Sequence, residues 1–309
     1  MNDFGAEKHY RTLNDYYRQK FNTKVYKIPL NGDFTCPNRD GSISIKGCVF
    51  CSEKGSGDFA GNREDTLQEQ FKTLKSVMQK KWANGKYIVY FQANTNTYGP
   101  LEKVKSLFEK ALQLDKDIIG LAIATRPDCL PDDILDYLED LNKRTYLTVE
   151  LGLQSIHNKT LDFINRGHDL AVFVEACRKL RSRNINVVVH IINGFPGESK
   201  EDMIETARFL NHLDIQGIKI HMLFIQKKTE LAYLYEKQSF PLLTLEEYVD
   251  IVVGQLAVLD KNIIIHRLTG DAPRDELIAP KWTLKKFVVA NEIDKLMRKN
   301  HIFQGDHHE

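Results

Sequence analysis

The sequence has no apolar run long enough to span a bilayer. Its longest stretches, such as residues 187–192, fall far short of the roughly 20 residues that a transmembrane helix needs. Residues 1–10 are polar and mixed in charge, without the apolar core of a secretory signal, so a cytoplasmic protein with no membrane partner is expected. Net charge is nearly absent: 43 Lys and Arg against 42 Asp and Glu leave +1. That total argues neither for nor against a nucleic-acid partner, because a local basic patch can act where the sum does not. Internal repeats and low-complexity segments are absent. Cysteine is scarce, with five in 309 residues, and their odd number and wide spread do not form a disulfide framework. In a reducing compartment, a tight group of cysteines points to metal binding or catalysis.

What is present is an ordinary globular composition, 42% hydrophobic and 28% charged, in a chain long enough for one large domain or two medium ones. From residue 23 to about 226, short β-rich runs alternate with amphipathic helical ones. The β-rich runs are 25–30, 87–92, 118–124, 145–151, 185–192 and 217–224. They are continuously apolar, as strands buried on both faces should be. Between them, Leu101, Val104, Leu107, Phe108 and Ala111 share a helical face. Pro131 opens a helix carrying Ile134, Leu135 and Leu138; Val172, Ala176 and Leu180 follow, then Met203, Ala207 and Leu210. Such alternation implies right-handed βαβ units around a parallel sheet, either open or a partial barrel, with chemistry at the C-terminal strand ends. Beyond residue 226 the pattern changes to a helix over 244–260, with Thr244 as N-cap and Glu247 three residues on, a strand over 262–265 and a last helix over 284–299. The expected division is therefore a barrel over 1–226 and an α-rich extension over 227–309 packed on it, its polar tail from residue 305 frayed.

Cys36, Cys48 and Cys51 form C-x11-C-x2-C in a polar, Gly-containing segment after the first strand. Three thiolates can hold three irons of a cubane and leave the fourth open. A structural zinc site is the alternative and needs a fourth ligand, for which Cys129, Cys177 or His9 are candidates. Spacing alone leaves both open.

Phe50 directly precedes Cys51, and the resulting C-x-aromatic-C resembles the cluster motif of the radical S-adenosylmethionine (SAM) superfamily. The long first gap is nearer that of its Elp3 group. Further matches follow in order: residues 91–98, Thr125-Arg126-Pro127-Asp128, Glu150-Leu-Gly-Leu-Gln154-Ser155, Asn165-Arg166-Gly167-His168, Gly194-Phe-Pro196-Gly197-Glu198, Gly217-Ile-Lys219-Ile-His221 and His266-Arg-Leu-Thr-Gly-Asp271. Together they resemble the YhcC/YtqA family, whose YtqA branch is also called MnmL, across nearly the whole chain.

The resemblance implies an α/β fold, a partial (β/α)6 TIM-like barrel with a C-terminal α-rich extension. It implies a [4Fe-4S] cluster on Cys36, Cys48 and Cys51, SAM on the open iron, and a reductant protein such as flavodoxin or ferredoxin. It further implies a tRNA substrate, in which a wobble uridine's 5-carboxymethylaminomethyl group becomes 5-aminomethyl. A radical enzyme acting on a small metabolite is the alternative.

For SAM contacts, the resemblance implies Phe50 and the Ile192-x-Gly194 pair at the adenine. It implies Thr95 and Asn96 at the methionine amino group, in place of the usual Gly-Gly-Glu, and Glu150 with Gln154 at the ribose. Arg126 suits the methionine carboxylate or a phosphate. Each has a plainer alternative: a polar turn for Thr95 and Asn96, a salt bridge for Glu150, an ion pair with Asp128 or Glu150 for Arg126. Glu198 reads as helix first-turn charge. His168, His190, His221 and His266 are candidate proton carriers, but the two that interrupt apolar strands read as satisfied core residues, and none is assigned as catalytic. Three basic clusters suit either RNA or solvated helix faces: Arg178-Lys179-Arg181-Arg183, Lys72-Lys75-Lys80-Lys81 and Lys281-Lys285-Lys286. Trp82 and Trp282 suit base stacking or packing.

Overall fold

The computed structural model describes residues 8–80, 84–238 and 240–308. The apolar runs form β1 (Val25–Leu30), β2 (Lys86–Phe91), β3 (Ile118–Thr125), β4 (Tyr146–Gln154), β5 (Asn186–Asn193) and β6 (Gly217–Met222). A two-residue strand β7 (Ile225–Gln226) follows, and then β8 (Ile264–Arg267) and β9 (Leu277–Ala279). β1 to β6 lie side by side in chain order, all parallel, and β8 adds a seventh parallel strand beside β6. β7 and β9 form a separate antiparallel pair.

The helices are α1 (Leu13–Phe21), α2 (Leu67–Gln79), α3 (Leu101–Leu112), α4 (Asp132–Arg144), α5 (Asn158–Phe163), α6 (Leu170–Arg181), α7 (Lys200–Phe209), α8 (Glu230–Lys237), α9 (Leu245–Val258) and α10 (Lys286–Lys299). Thr244 caps α9 with the reciprocal Glu247 bond that the sequence suggests. The last helix starts at Lys286, after a 3-10 turn at Lys281–Leu284, two residues later than expected.

The sheet is curled, and side-chain contacts across it show by how much. Neighbouring strands lie about 4.8 Å apart, so β2 and β6 would be about 19 Å apart in a flat sheet. Yet the Tyr90 hydroxyl of β2 is 3.4 Å from the Lys219 Nζ of β6. Lys27 of β1 likewise reaches Glu150 of β4 at 2.5 Å. The architecture is therefore the expected partial TIM-like barrel, with seven strands rather than six.

Alternation along the strands sorts the side chains. Ile28, Leu30, Val89, Phe91, Val149, Leu151, Val187, Val189, Ile218 and Ile220 belong to the core that packs under Val104, Phe108, Leu135, Leu138, Phe173 and Leu180 of the outer helices. Lys27, Glu150, His190 and Lys219 point to the inside instead. Tyr17 of α1 packs with Ile88, Tyr90 and Ala122, so this unanticipated helix plugs one end of the barrel.

The tail is not frayed through residue 308. Gln304 is buried, accepts from the Arg11 backbone N–H at 2.9 Å and donates to the carbonyls of Asp260 and Ile263, each at 2.8 Å. The backbone N–H groups of Gly305 and His307 bond Leu256 and Ala257 of α9. A polar composition suggested fraying; specific bonds to orphan backbone groups override it. Among the described residues, no helix is long and apolar enough to cross a membrane.

Candidate active site at the mouth of the barrel

The connection between β1 and α2 crosses the C-terminal ends of the strands and carries Cys36, Cys48 and Cys51. Local turns shape it. The Cys36 carbonyl accepts from the backbone N–H of Arg39 and Asp40, and the Cys51 N–H donates to the Cys48 carbonyl at 2.9 Å. Gly47 sits at φ +73°, a left-handed conformation that favours glycine. The Gly47 carbonyl accepts from Asn165 Nδ2 at 2.7 Å, and Asn38 Nδ2 returns a bond to the Asn165 carbonyl at 2.6 Å. The cysteine loop is thereby tied to the segment after β4.

Donors converge on the sulfurs. Asn38 Nδ2 and Arg166 Nη1 each lie 3.5 Å from Cys48 Sγ, and Arg39 Nη1 lies 3.8 Å from Cys51 Sγ. Burial first, then the neighbouring Cys48, pushes the Cys51 thiol up to about 11. Without a metal the group therefore holds its proton, which ligation would displace.

A single zinc would draw its sulfurs to about 3.8 Å from one another, given Zn–S bonds of about 2.3 Å. Among the described residues, the set of three His, Cys, Asp or Glu donor atoms within 4.8 Å of one another is His157, Asp202 and Glu205. The three cysteine sulfurs are not such a set, so they do not already form the tight group a single zinc would draw together. The candidates for a fourth zinc ligand are engaged elsewhere. His9 bonds the Ile302 carbonyl and stacks on Phe303, Cys129 Sγ faces Asp128, and Cys177 is buried in the core.

The three cysteines line a cavity of about 270 Å³ together with Phe50, Thr95, Arg126, Glu150, Gln154 and Ile192. Asn96 and Gly194, expected with them, do not line it. The Asn96 amide is fully buried and donates to the carbonyls of Phe91 and Ala124, tying the ends of β2 and β3 together. Gly194 lies past the end of β5, where its N–H meets Met203 Sδ at 3.1 Å and an added Cβ would crowd Leu243. Gln154 is held at φ +79°, at an irregularity in the β4–β5 pairing. Non-glycine residues seldom adopt this conformation, and such strain gathers at ligand sites. Phe50 packs beside Phe195, with ring centroids 5.9 Å apart.

Two of the expected contacts carry the ion pairs weighed as alternatives. Arg126 donates twice to Asp128, at 2.9 and 2.7 Å, and once to the Arg166 carbonyl at 2.8 Å. It therefore holds the segment that aims Arg166 at Cys48. Glu150 is fully buried, and it accepts from Lys27 at 2.5 Å, from His190 Nε2 at 2.8 Å and from Lys219. Burial alone would raise its pKa; the charges of Lys219 and Lys27 and the His190 bond overcome that and hold it well below the usual carboxylate range. Burial pushes Lys219 down to about 8 against the pull of Glu150. Burial, then the Lys219 charge, pushes His190 down to about 4.

His190 is thus a satisfied residue, as expected, but His221 and His266 are not. His221 stacks 5.5 Å from His190 and lines the cavity with its Nε2 unpartnered, and His266 Nδ1 is buried without a partner. Glu198 is not first-turn charge as expected: it precedes Ser199, the N-cap of α7, and accepts from Ser155 at 2.5 Å, while Glu201 and Asp202 occupy the first turn. Sequence reasoning assigned no role to Lys27, Tyr90, Asn38, Arg39 or Lys219. For Lys27 and Lys219 the available signal was the one that flagged Glu150, charge inside a run that should be apolar; Tyr90, Asn38 and Arg39 carried no such mark.

The basic clusters separate. Arg178, Lys179, Arg181 and Arg183 pair with Glu175, Asp132, Asp214 and Asp136, the pattern of a solvated helix face. Lys75 pairs with Asp115, whereas Lys81 and Trp82 lie outside the described residues. Trp282 is a packing anchor, donating to the Leu243 carbonyl at 2.9 Å and lying against Tyr248.

Comparison with known proteins converges on the same region. Residues 36–210 match the Radical SAM superfamily and residues 215–299 the Radical_SAM C-terminal domain. The chain is 50% identical over 300 residues to YtqA of Bacillus subtilis (strain 168), covering 97% of this chain and 93% of that protein. It is 25% identical over 205 residues to a tRNA uridine(34) acetyltransferase of Methanocaldococcus jannaschii, covering 65% of this chain and 36% of that protein. The fold is similar to that of archaeal Methanocaldococcus infernus Elp3 with an N-terminal deletion, with a TM-score of 0.66 at 18% identity, over 91% of this chain and 64% of that one.

Proposed function

Because the chain belongs to the radical SAM superfamily and, within it, to the YhcC/YtqA family, we propose that Cys36, Cys48 and Cys51 hold its [4Fe-4S] cluster and that its substrate is the wobble uridine of tRNA. The observation that carries the first part is the loop itself: three thiols of one segment, with Phe50 among them, at the open end of a curled parallel sheet. When bound, the cluster and SAM supply reductive cleavage to methionine and a 5′-deoxyadenosyl radical, which takes a hydrogen atom from a substrate C–H bond.

The chain's own residues prepare that site. Asn38 and Arg166 direct donors at Cys48, and Arg39 directs one at Cys51, which stabilises negative charge on ligating sulfur. Arg126 positions Arg166 through its carbonyl. Phe50, backed by Phe195, offers an apolar plate for adenine, next to the polar groups of Thr95 and Gln154. A reductant protein such as flavodoxin or ferredoxin delivers the electron.

The proposed reaction converts 5-carboxymethylaminomethyluridine to 5-aminomethyluridine. Removal of a hydrogen atom from the methylene beside the carboxylate, passage of one further electron and a proton to a one-electron acceptor such as the oxidised cluster or the redox partner protein, and addition of water across the resulting C=N bond would release the amine and carry the two carbons away as glyoxylate. The resemblance to the YtqA branch implies this substrate, and the 25% likeness to a protein named for tRNA uridine(34) supports it. The cavity's charge suits it too, since Arg39, Arg126, Arg166, Lys219 and Arg267 line it against Asp58, Glu150 and Asp271 and leave positive charge for an anionic group. tRNA deuterated at that methylene is expected to transfer deuterium to 5′-deoxyadenosine, read by mass spectrometry. Product formed with no deuterium in the nucleoside would overturn the assignment.

A further inference from the structure

Where the substrate's macromolecular part rests is a separate matter from the chemistry, and the surface beside the cavity bears on it. The 3-10 turn at Lys281–Leu284 and the first turn of α10 present Leu284, Lys285, Lys286, Phe287 and Val288 to solvent. Phe287 is 78% exposed, an unusual position for a large aromatic. The sequence holds no Asp or Glu between Glu276 and Glu292, while Lys281, Lys285 and Lys286 fall within that interval. From beneath, the bond of Trp282 to the Leu243 carbonyl and its contact with Tyr248 fix the turn.

This patch joins the cavity directly. Lys286 Nζ lies 3.5 Å from Asp271, which also pairs with Arg267, and both Asp271 and Arg267 line the cavity.

We propose that the Lys281–Val288 surface docks single-stranded RNA, with Phe287 stacking on a nucleobase that flanks the modified one and Lys285 meeting a phosphate; this rests on the tRNA reading above. Lys286 pairs with Asp271 and Lys281 donates to the Leu277 carbonyl, whereas Lys285 has no ion pair among the described residues and leaves its charge for a polyanion. An exposed aromatic among them favours unpaired bases, whose faces are free to stack. Continuity with the cavity places such a base beside the one that enters. A second copy of this chain fits less well, because a two-fold contact would set lysine against lysine.

The test uses the full chain, loaded with cluster, and unmodified tRNA in equilibrium binding across a salt series. Phe287→Ala is expected to weaken binding about 5- to 100-fold, while Phe287→Tyr, which keeps the stacking face, stays near wild type. Lys285→Glu should weaken binding and reduce the salt slope by about 1. RNA-independent SAM cleavage and circular dichroism should not change in any of the three. Wild-type affinity in Phe287→Ala and Lys285→Glu would overturn the proposal. So would a change of oligomeric state in sedimentation, which would make the patch a subunit interface. If the variants lose RNA while wild type leaves carboxymethylaminomethyl tRNA unmodified, docking stands and the substrate reading falls. If wild type modifies that tRNA and the variants do so with unchanged KM, the docking falls alone.

Discussion

Cys48→Ala is expected to leave the protein without an intact cluster and to reduce 5′-deoxyadenosine formation more than about 100-fold, beyond the loss that removal of an outer partner usually brings. Cys48 is the buried member of the three, and both Asn38 and Arg166 aim donors at its sulfur. Its carbonyl also closes the turn that orients Cys51. Alanine removes the ligand and takes the sulfur from Arg166 Nη1, while Asn38 Nδ2 keeps the Asn165 carbonyl. Cys129→Ala and Cys177→Ala should retain iron, because Cys129 lies against Asp128 and Cys177 is packed in the core, burial pushing each thiol up to about 12. Iron and sulfide per chain after anaerobic reconstitution, with the nucleoside quantified in parallel, check all three. Full iron in Cys48→Ala would remove that residue from the ligand set.

Glu150→Gln is expected to destabilise the fold by about 3–5 kcal/mol, the usual cost of breaking a buried ion pair from one side. The carboxylate is fully buried and offsets two lysines that are themselves largely enclosed. An amide in its place leaves both cations desolvated without a counter-charge. Replacing all three, as Glu150→Leu with Lys27→Met and Lys219→Met, should recover most of the stability while activity stays low. That pattern separates an electrostatic role from a packing one. Wild-type stability should also fall in acid. His190, near 4 in the fold against an ordinary 6.5, refuses a proton that the unfolded chain accepts, so stability drops as the pH falls through that window. Glu150, held low in the fold, adds to the loss as the pH falls through and below the usual carboxylate range. Denaturant midpoints at pH 7 and pH 5 measure the effect, and equal midpoints would contradict it.

How much of this could be read in advance differs by level. Each of the six apolar runs became a strand with ends within three residues of those expected, because a strand buried on both faces leaves a continuous signal. The cysteine motif and the aromatic before Cys51 were equally plain. Partnerships across the sheet were not: Lys27 and Glu150 are 123 residues apart and meet only because the sheet curls. Glu150 stood out as a charge in an apolar run, but its partners depend on that curvature. Adjacent residues on one turn proved hard to tell apart as well. Thr95 lines the cavity and Asn96 turns away, after Asn94 takes up φ +59°. The apolar run over 262–265 marked a strand but not its place as a seventh member of the sheet beside β6, and the plug of α1 arises from a segment too polar for periodicity to mark.

The central claim is that this chain, through the cluster loop at the barrel mouth, opens SAM to a radical that acts on RNA. The most direct measurement is 5′-deoxyadenosine formed by the anaerobically reconstituted, reduced protein with SAM, with and without tRNA carrying the carboxymethylaminomethyl group. The account predicts that the nucleoside forms and rises sharply with that tRNA, with aminomethyluridine appearing in step. No nucleoside from protein shown to hold an intact cluster would contradict it.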